Sequence, residues 1–100
     1  MRTIKESDLD PVLRRINDSL DHPQDPWSPQ EDGSKPQASV GTYVLDWAYG
    51  GVRLCQITNT SGAQRDITAR GTKREAYNLM HAFLSGLAAA HIARVESAQE

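Results

Sequence analysis

The strongest constraint on the fold is an alternating run of side chains around a pair of glycines, TYVLDWAYGGVRLCQITN, at residues 42–59. Apolar side chains occupy every second position before the glycines, which is typical of a β-strand with one buried face. Two successive glycines readily take the positive φ angles of a two-residue hairpin turn. The sequence therefore predicts an antiparallel hairpin that turns at Gly50–Gly51 and places Trp47 opposite Leu54. Its buried face would carry Tyr43, Leu45, Trp47, Tyr49, Val52 and Leu54.

An amphipathic helix is predicted after the hairpin. Thr72 and Glu75 have the spacing of a capping box, in which each side chain accepts a hydrogen bond from the other residue's backbone amide. The apolar residues that follow recur at helical spacing and form one stripe, namely Ala76, Leu79, Met80, Phe83, Leu84, Leu87 and Ala90. We expect this stripe to pack on the aromatic face of the hairpin, and the chain to fray after Arg94.

A shorter helix is predicted near the N-terminus. Its apolar side chains follow helical spacing and are Leu9, Val12, Leu13, Ile16 and Leu20. Asp10 before Pro11 fits an N-cap followed by proline at the first helical position, and Ser7 is an alternative cap one turn earlier. We expect the helix to end near Leu20, because Pro23 cannot continue it.

The segment that follows this helix, residues 21–41, holds four prolines and few aliphatic residues. This composition predicts a linker or a long irregular loop. Trp27 is the largest apolar side chain in this segment. It either docks on the protein's own surface or is available to a partner. We expect docking, since an exposed tryptophan is disfavoured in a monomer.

Together these elements predict an α+β fold. The chain divides into an N-terminal helix (residues 1–20), a Pro-rich linker or loop (21–41), a ββ(β)α core (42–95) and a tail (96–100). A third strand at Gln64–Thr68 would extend the hairpin to a three-stranded meander. This core is small for independent stability. The N-terminal helix therefore either packs back on the sheet or reaches a second copy of the chain in a homodimer.

Composition excludes several classes of protein. The single cysteine, Cys55, cannot form an internal disulfide, and the three histidines lack the spacing of a zinc site. No apolar run is long enough to span a bilayer, and the polar opening residues predict no signal peptide. We therefore expect a soluble, intracellular protein that uses no metal and no cofactor.

The titratable residues do not form a recognisable catalytic set. Cys55 could pair with His81 or His91 as nucleophile and base, but no third residue stands at a recognisable position to orient the base. Asp46 and Asp66 are isolated carboxylates, and Asp46 has a simpler role as a partner of an arginine across the hairpin. We therefore predict a protein that is not an enzyme.

Positive charge concentrates where the last helix begins. The net charge is −2, yet five basic residues and one acid lie between Val52 and Arg74. Lys73 and Arg74 occupy the positive end of the helix dipole, which is unfavourable unless an anion approaches. The alternative is that they are solvated side chains compensated by Glu75. The predicted binding residues are Arg53, Arg65, Arg70, Thr72, Lys73 and Arg74, with Trp27 as a mobile clamp.

Residues 43–87 combine an aromatic strand that ends in AYGGVRL, an N-x-S-G turn, a short DI segment and GTKRE at a helix start. In these features the chain resembles a type of small accessory protein encoded in bacteriophage and prophage genomes. The resemblance covers about half of the chain and assigns no activity and no functional residue. It implies a protein that acts by binding in the cytoplasm of the bacterial host, where some such proteins neutralise a defence system.

We therefore expect an inhibitor of a bacterial host defence system that binds the acidic surface of a host protein complex through these basic residues. One alternative is capture of a phosphate-bearing small ligand such as a nucleotide. Another is nucleic-acid binding, which the negative net charge disfavours.

Overall fold

The computed structural model describes the backbone of residues 3–99 and the side chains of residues 3–90, and it has an α+β fold. Helix α1 covers Glu6–Ser19 and helix α2 covers Lys73–Gln99. Between the helices lie β1 at Trp27–Ser28, β2 at Gln37–Ala38, β3 at Tyr43–Ala48, β4 at Gly51–Ile57 and β5 at Gln64–Asp66. Strands β1 and β2 form a small antiparallel sheet, and β3, β4 and β5 form a larger antiparallel sheet in that order. The predicted third strand is therefore confirmed, although it ends at Asp66 and not at Thr68.

The hairpin of β3 and β4 turns one residue earlier than predicted. Trp47 lies opposite Val52, so the connecting residues are Tyr49 and Gly50. The prediction of Leu54 as the partner of Trp47 is wrong by two residues. Because side chains along a strand alternate with a period of two, a shift of two leaves the same side chains on the same face.

A contact between Gly51 and Gly71 explains this register. Val52 and Gly71 exchange two backbone hydrogen bonds, of 2.9 and 3.0 Å, which bring Gly71 beside the first residues of β4. The φ angle of Gly51 is 124°, and a side chain there would collide with the carbonyl group of Gly71. Gly51 is therefore required inside the ladder, and the Val52–Gly71 pair fixes the start of α2 against the hairpin.

The hydrophobic core lies between the two helices and one face of the larger sheet. Helix α1 packs along α2 and β3, and α2 packs on β4. The buried residues of this core are Leu9, Val12 and Ile16 from α1, Tyr43, Val52 and Leu54 from the sheet, and Ala76, Met80 and Leu84 from α2. Helix α1 thus completes the core of its own chain, which is one of the two arrangements expected for it.

Four residues predicted to be in the core are exposed, and the smallest of them is Ala90 on α2. Leu79 is 45% exposed at the edge of the α2 stripe, Trp47 is 39% exposed, and Tyr49 at the hairpin tip is fully exposed. Helix α2 does not cover Trp47 and Tyr49, because it begins beside the first residues of β4 and runs towards the other end of the hairpin. There the ring of Tyr43 meets that of Phe83 at 5.4 Å. The tip of the hairpin therefore projects past the start of α2.

Helix α1 begins at Glu6, so the predicted caps at Asp10 and Ser7 are both wrong, and Pro11 lies inside the helix. Ile4, just before the helix, is buried in the core. This burial favours the earlier helix start, even though Pro11 cannot donate the backbone hydrogen bond of its position in the helix.

Asn17 joins α1 to β3 through two hydrogen bonds. Its Nδ2 donates to the carbonyl oxygen of Tyr43 at 3.1 Å, and the amide of Tyr43 donates to its Oδ1 at 2.8 Å. Asn17 is completely buried. A neighbouring strand would offer the same donor and acceptor to Tyr43. We call this pair of bonds the Asn17 clamp.

Residues 21–41 are docked on the larger sheet rather than forming a free linker. The amide of Ala38 in β2 donates to the carbonyl oxygen of Thr60 at 2.9 Å, and the amide of Gly41 donates to Ile57 at 2.8 Å. Trp27 in β1 lies over Gly62, where a Cβ atom would be 3.0 Å from the indole ring. One side of this tryptophan is thus docked on the protein, while 47% of the residue is exposed.

The C-terminal part of α2 continues to Gln99, whereas the sequence predicts fraying after Arg94 and a tail at residues 96–100. The side chains of His91 and Arg94 lie outside the described residues. Within the described part of the helix, Gly86 has no atom within 4 Å of the place where a Cβ would lie. Gly86 therefore marks no close approach by the described part of the chain.

Candidate functional site

The start of α2 has the predicted capping box. Thr72 Oγ1 accepts a hydrogen bond from the amide of Glu75 at 3.1 Å, and the Glu75 carboxylate accepts one from the amide of Thr72 at 3.1 Å. The bonds from Thr72 hold the pKa of the Glu75 carboxyl below its ordinary value. Glu75 is therefore committed to its own helix start, where its charge complements the helix dipole.

Arg70 is neutralised within the protein. Its Nη2 contacts the Asp46 carboxylate at 2.6 Å, and its Nη1 donates to the carbonyl oxygens of Asp46 and Gly51 at 3.0 and 2.8 Å. The hydrogen bond from Arg70, assisted by Arg53, holds the pKa of the Asp46 carboxyl below its ordinary value against the opposing effect of desolvation. In this structure the charge of Arg70 is therefore compensated within the protein and is not directed towards the start of α2.

Arg53 is neutralised in the same network. It lies directly opposite Asp46 in the hairpin and contacts that carboxylate at 2.9 Å, and it contacts Asp66 on β5 at 3.0 Å. Asp46 is thus shared between two guanidinium groups on the sheet face that points away from α2. Arg53 does not support the predicted site, because both of its carboxylate partners belong to the protein itself.

Arg65 and Trp27 lie away from the start of α2. Arg65 pairs with Gln56 near the far end of β4, and its Nε donates to the Gln56 side chain at 2.9 Å. Gln56 is four residues along the strand from Val52, a separation of about 13 Å at 3.3 Å per residue. Trp27 lies over Gly62, beyond that same end of the strand. The structure therefore does not bring these two residues together with Lys73, and Trp27 is not placed to act as a clamp on a ligand there.

An open cavity of about 660 Å³ lies at the start of α2. It is formed by the chain before α1, the end of the hairpin and the first residues of α2, namely Thr3, Ile4, Trp47, Ala48, Gly51, Val52, Thr72, Lys73 and Arg74. We call this cavity the α2 groove. It contains three of the predicted binding residues, Thr72, Lys73 and Arg74.

The α2 groove is mainly apolar with a basic rim. The exposed part of Trp47 supplies most of its apolar surface, while Ile4 and Val52 line the groove but are themselves buried. Lys73 is exposed and forms no salt bridge with any of the carboxylates that the structure describes. Ile4 was not among the predicted site residues, although it is the one large aliphatic residue in the polar opening MRTIKESD and this contrast could have identified it.

Cys55 and His81 lie apart. Cys55 is buried on the sheet face opposite α2, with its Sγ 3.8 Å from the Asp66 carboxylate, and burial raises the pKa of its thiol. His81 lies on α2, where its ring meets Tyr77 at 4.5 Å. The sheet separates the two side chains, so they do not form a nucleophile and base.

Comparisons with protein-family models, curated proteins and solved structures found no match to this chain. Across the described residues, no three histidine, cysteine, aspartate or glutamate side chains come together in a way that could hold a metal ion. Nor does either described helix combine the length and apolar character needed to cross a membrane.

Proposed function

We propose that this protein is a small non-enzymatic binding protein of the phage accessory type, and that it binds a protein partner through the α2 groove. The observation that carries the proposal is the apolar surface of this groove beside the exposed aromatic tip of the hairpin. Trp47 is 39% exposed in the groove and Tyr49 is fully exposed next to it. Exposed tryptophan and tyrosine side chains are typical of the few residues that dominate a protein interface.

The charge of the groove favours an acidic partner surface. Lys73 stands at the rim, close to the positive end of the α2 dipole. Because Arg53 and Arg70 are neutralised by Asp46 and Asp66, the surface has too few available cations for a run of phosphate contacts. These features support a protein partner over a nucleic acid.

The role of this binding follows from the resemblance to phage accessory proteins. We propose that the protein inhibits a bacterial host defence system by occupying the acidic and apolar surface of a host protein complex. Its place of action would be the cytoplasm of the host. An apolar anchor surrounded by charge gives such an inhibitor both affinity and a preferred orientation on its target.

Co-purification tests this proposal. Tagged protein is passed over nuclease-treated lysate of a bacterial host, and the bound proteins are compared between wild type, Trp47→Ala, Lys73→Glu and the matched charge reversal Lys35→Glu on the exposed Pro-rich segment. We expect a specific complex to be lost with Trp47→Ala and Lys73→Glu, through an affinity loss of about tenfold or more, and to be kept with Lys35→Glu. Equal recovery with all four proteins would contradict the proposal.

A phosphate-bearing small ligand is the second candidate. The groove volume of about 660 Å³ falls within the range of small-molecule sites, and Lys73 could contact a phosphate group. A thermal-shift screen with nucleotides distinguishes this function, because a true ligand raises the melting temperature in proportion to the logarithm of its concentration above the Kd. Wild type should respond and Lys73→Glu should not.

A further inference from the structure

The backbone of β3 faces outward at Leu45 and Trp47. Their partners in β4 are Leu54 and Val52, and both of these direct their backbone groups to the other side. Val52 bonds Gly71 through its amide and carbonyl groups, at 2.9 and 3.0 Å. Leu54 donates to Thr68 Oγ1 at 3.0 Å and accepts from the amide of Ile67 at 2.8 Å. In an antiparallel ladder, residues opposite such positions point their own N–H and C=O groups away from the shared partner.

The outer edge of β3 is closed at one end only. At Tyr43 the Asn17 clamp occupies the outward amide and carbonyl groups. At Leu45 and Trp47 no residue that the structure describes donates to or accepts from the outward groups. Backbone groups without partners are rarely buried, and Trp47 and Ala48 at this end of β3 are exposed. Among the described residues, this end of the edge is therefore uncovered beside the α2 groove.

The two edges of the sheet differ in how they resist pairing with another chain. The β5 edge has three residues and carries the exposed charges of Arg65 and Asp66, a usual protection against strand addition. The β3 edge has no proline and no bulge, since its pairing with β4 is continuous. Its one charge, Asp46, is bound on the sheet face by Arg53 and Arg70.

From this geometry we infer that the partner binds as an extended peptide segment that adds a strand to β3 at Leu45–Trp47. The inference rests on the proposed function and specifies its mode. An added strand would pair with the outward backbone groups and place an apolar side chain in the α2 groove beside Ile4 and Trp47. Lys73 at the rim is complementary to an acidic residue near one end of the segment. The expected ligand is thus an extended peptide with alternating apolar residues and a terminal acidic residue.

Amide hydrogen exchange on the full chain tests this mode. The probe is a peptide selected from a displayed library of random twelve-residue sequences and retained only if Lys73→Glu weakens its binding. We expect saturating peptide to slow exchange of the Leu45 and Trp47 amides about tenfold or more. The outward amides of Gln64 and Asp66 on the β5 edge are the matched control and should not change.

A backbone variant gives a second readout. Ligation at Cys55 can join a synthetic segment that ends before this residue and carries N-methyl-Trp47 to the remainder of the chain. The methyl group replaces the outward N–H of Trp47 and leaves the indole ring unchanged. We expect peptide affinity to fall about tenfold or more while the melting temperature stays unchanged, because this amide makes no hydrogen bond within the described protein. N-methylation at Asp66, on the other edge, should leave affinity unchanged.

Each other outcome has a distinct meaning. Peptide binding without protection at Leu45 and Trp47, or without an effect of N-methyl-Trp47, overturns strand addition and leaves the groove as a binding site. Protection of these amides that grows with protein concentration in the absence of peptide also overturns it, because the occupant is then a second copy of the chain. A library that yields no peptide sensitive to Lys73→Glu overturns both this inference and the proposed function.

Discussion

Replacement of Asn17 by alanine should destabilise the protein more than any conservative change at its surface. Asn17 is completely buried and makes two hydrogen bonds to the backbone of Tyr43, of 3.1 and 2.8 Å. Alanine removes both bonds and leaves a buried amide and a buried carbonyl group without partners. Each such group costs about 1–3 kcal/mol, so the expected loss is about 2–6 kcal/mol out of the ~5–15 kcal/mol typical of a small domain.

Urea denaturation followed by circular dichroism measures this loss, and Asn78→Ala is the matched control. Asn78 is exposed on α2, and its side chain makes no hydrogen bond with any residue that the structure describes, so its replacement should change stability by at most about 0.5 kcal/mol. With about 4–8 °C per kcal/mol for a domain of this size, Asn17→Ala should also lower the melting temperature by at least ~8 °C. A loss below about 1 kcal/mol would refute the idea that the Asn17 clamp holds α1 to the sheet.

Four further predictions concern stability and reactivity. Gly51→Ala should destabilise the protein by about 2 kcal/mol or more, because its Cβ would collide with the carbonyl group of Gly71 at a φ of 124°. Gly86→Ala should stabilise α2 by up to about 1 kcal/mol in the same urea assay, since it has open space. The pKa of Asp46 is lowered in the folded protein, so its contribution to stability is complete above the ordinary pKa of 3.8 and is lost as the pH falls through the folded-state pKa. Asp46→Asn should remove this part of the dependence of the unfolding free energy on pH. Cys55 should react slowly with a thiol reagent in the native protein and rapidly in urea, because it is buried and its thiol pKa is raised.

Local patterns in the sequence predicted the elements that depend on local contacts. The capping box of Thr72 and Glu75 needs only residues three apart, and it is present at the predicted position. The alternation of the hairpin likewise identified β3 and β4. The register was wrong because it depends on the contact between Gly51 and Gly71, twenty residues apart in the chain, and no periodicity in either segment records that contact.

The candidate site was predicted only in part for a related reason. Lys73 and Arg74 line the groove because they belong to the first turn of α2. Arg70 does not, because its partner Asp46 lies on a strand that the fold brings beside it. A count of nearby charges along the chain cannot distinguish a cation that faces solvent from one that a distant carboxylate neutralises.

The neutralisation of Arg53 and Arg70 leads to a prediction about salt that separates the proposed partners. Binding that depends on the apolar groove and on few cations releases few counterions, so raising NaCl from 50 to 200 mM should weaken it by less than about tenfold. A nucleic-acid partner with 6–10 phosphate contacts would lose about 10³–10⁵ in affinity over the same range. Titrations of the selected peptide, of the co-purified complex and of single-stranded DNA at both salt concentrations measure the difference. A steep salt dependence for the physiological partner would contradict this reasoning. It would mean that Arg70 releases Asp46 and binds a phosphate of the partner, so that the internal ion pairs do not limit the number of cations available for binding.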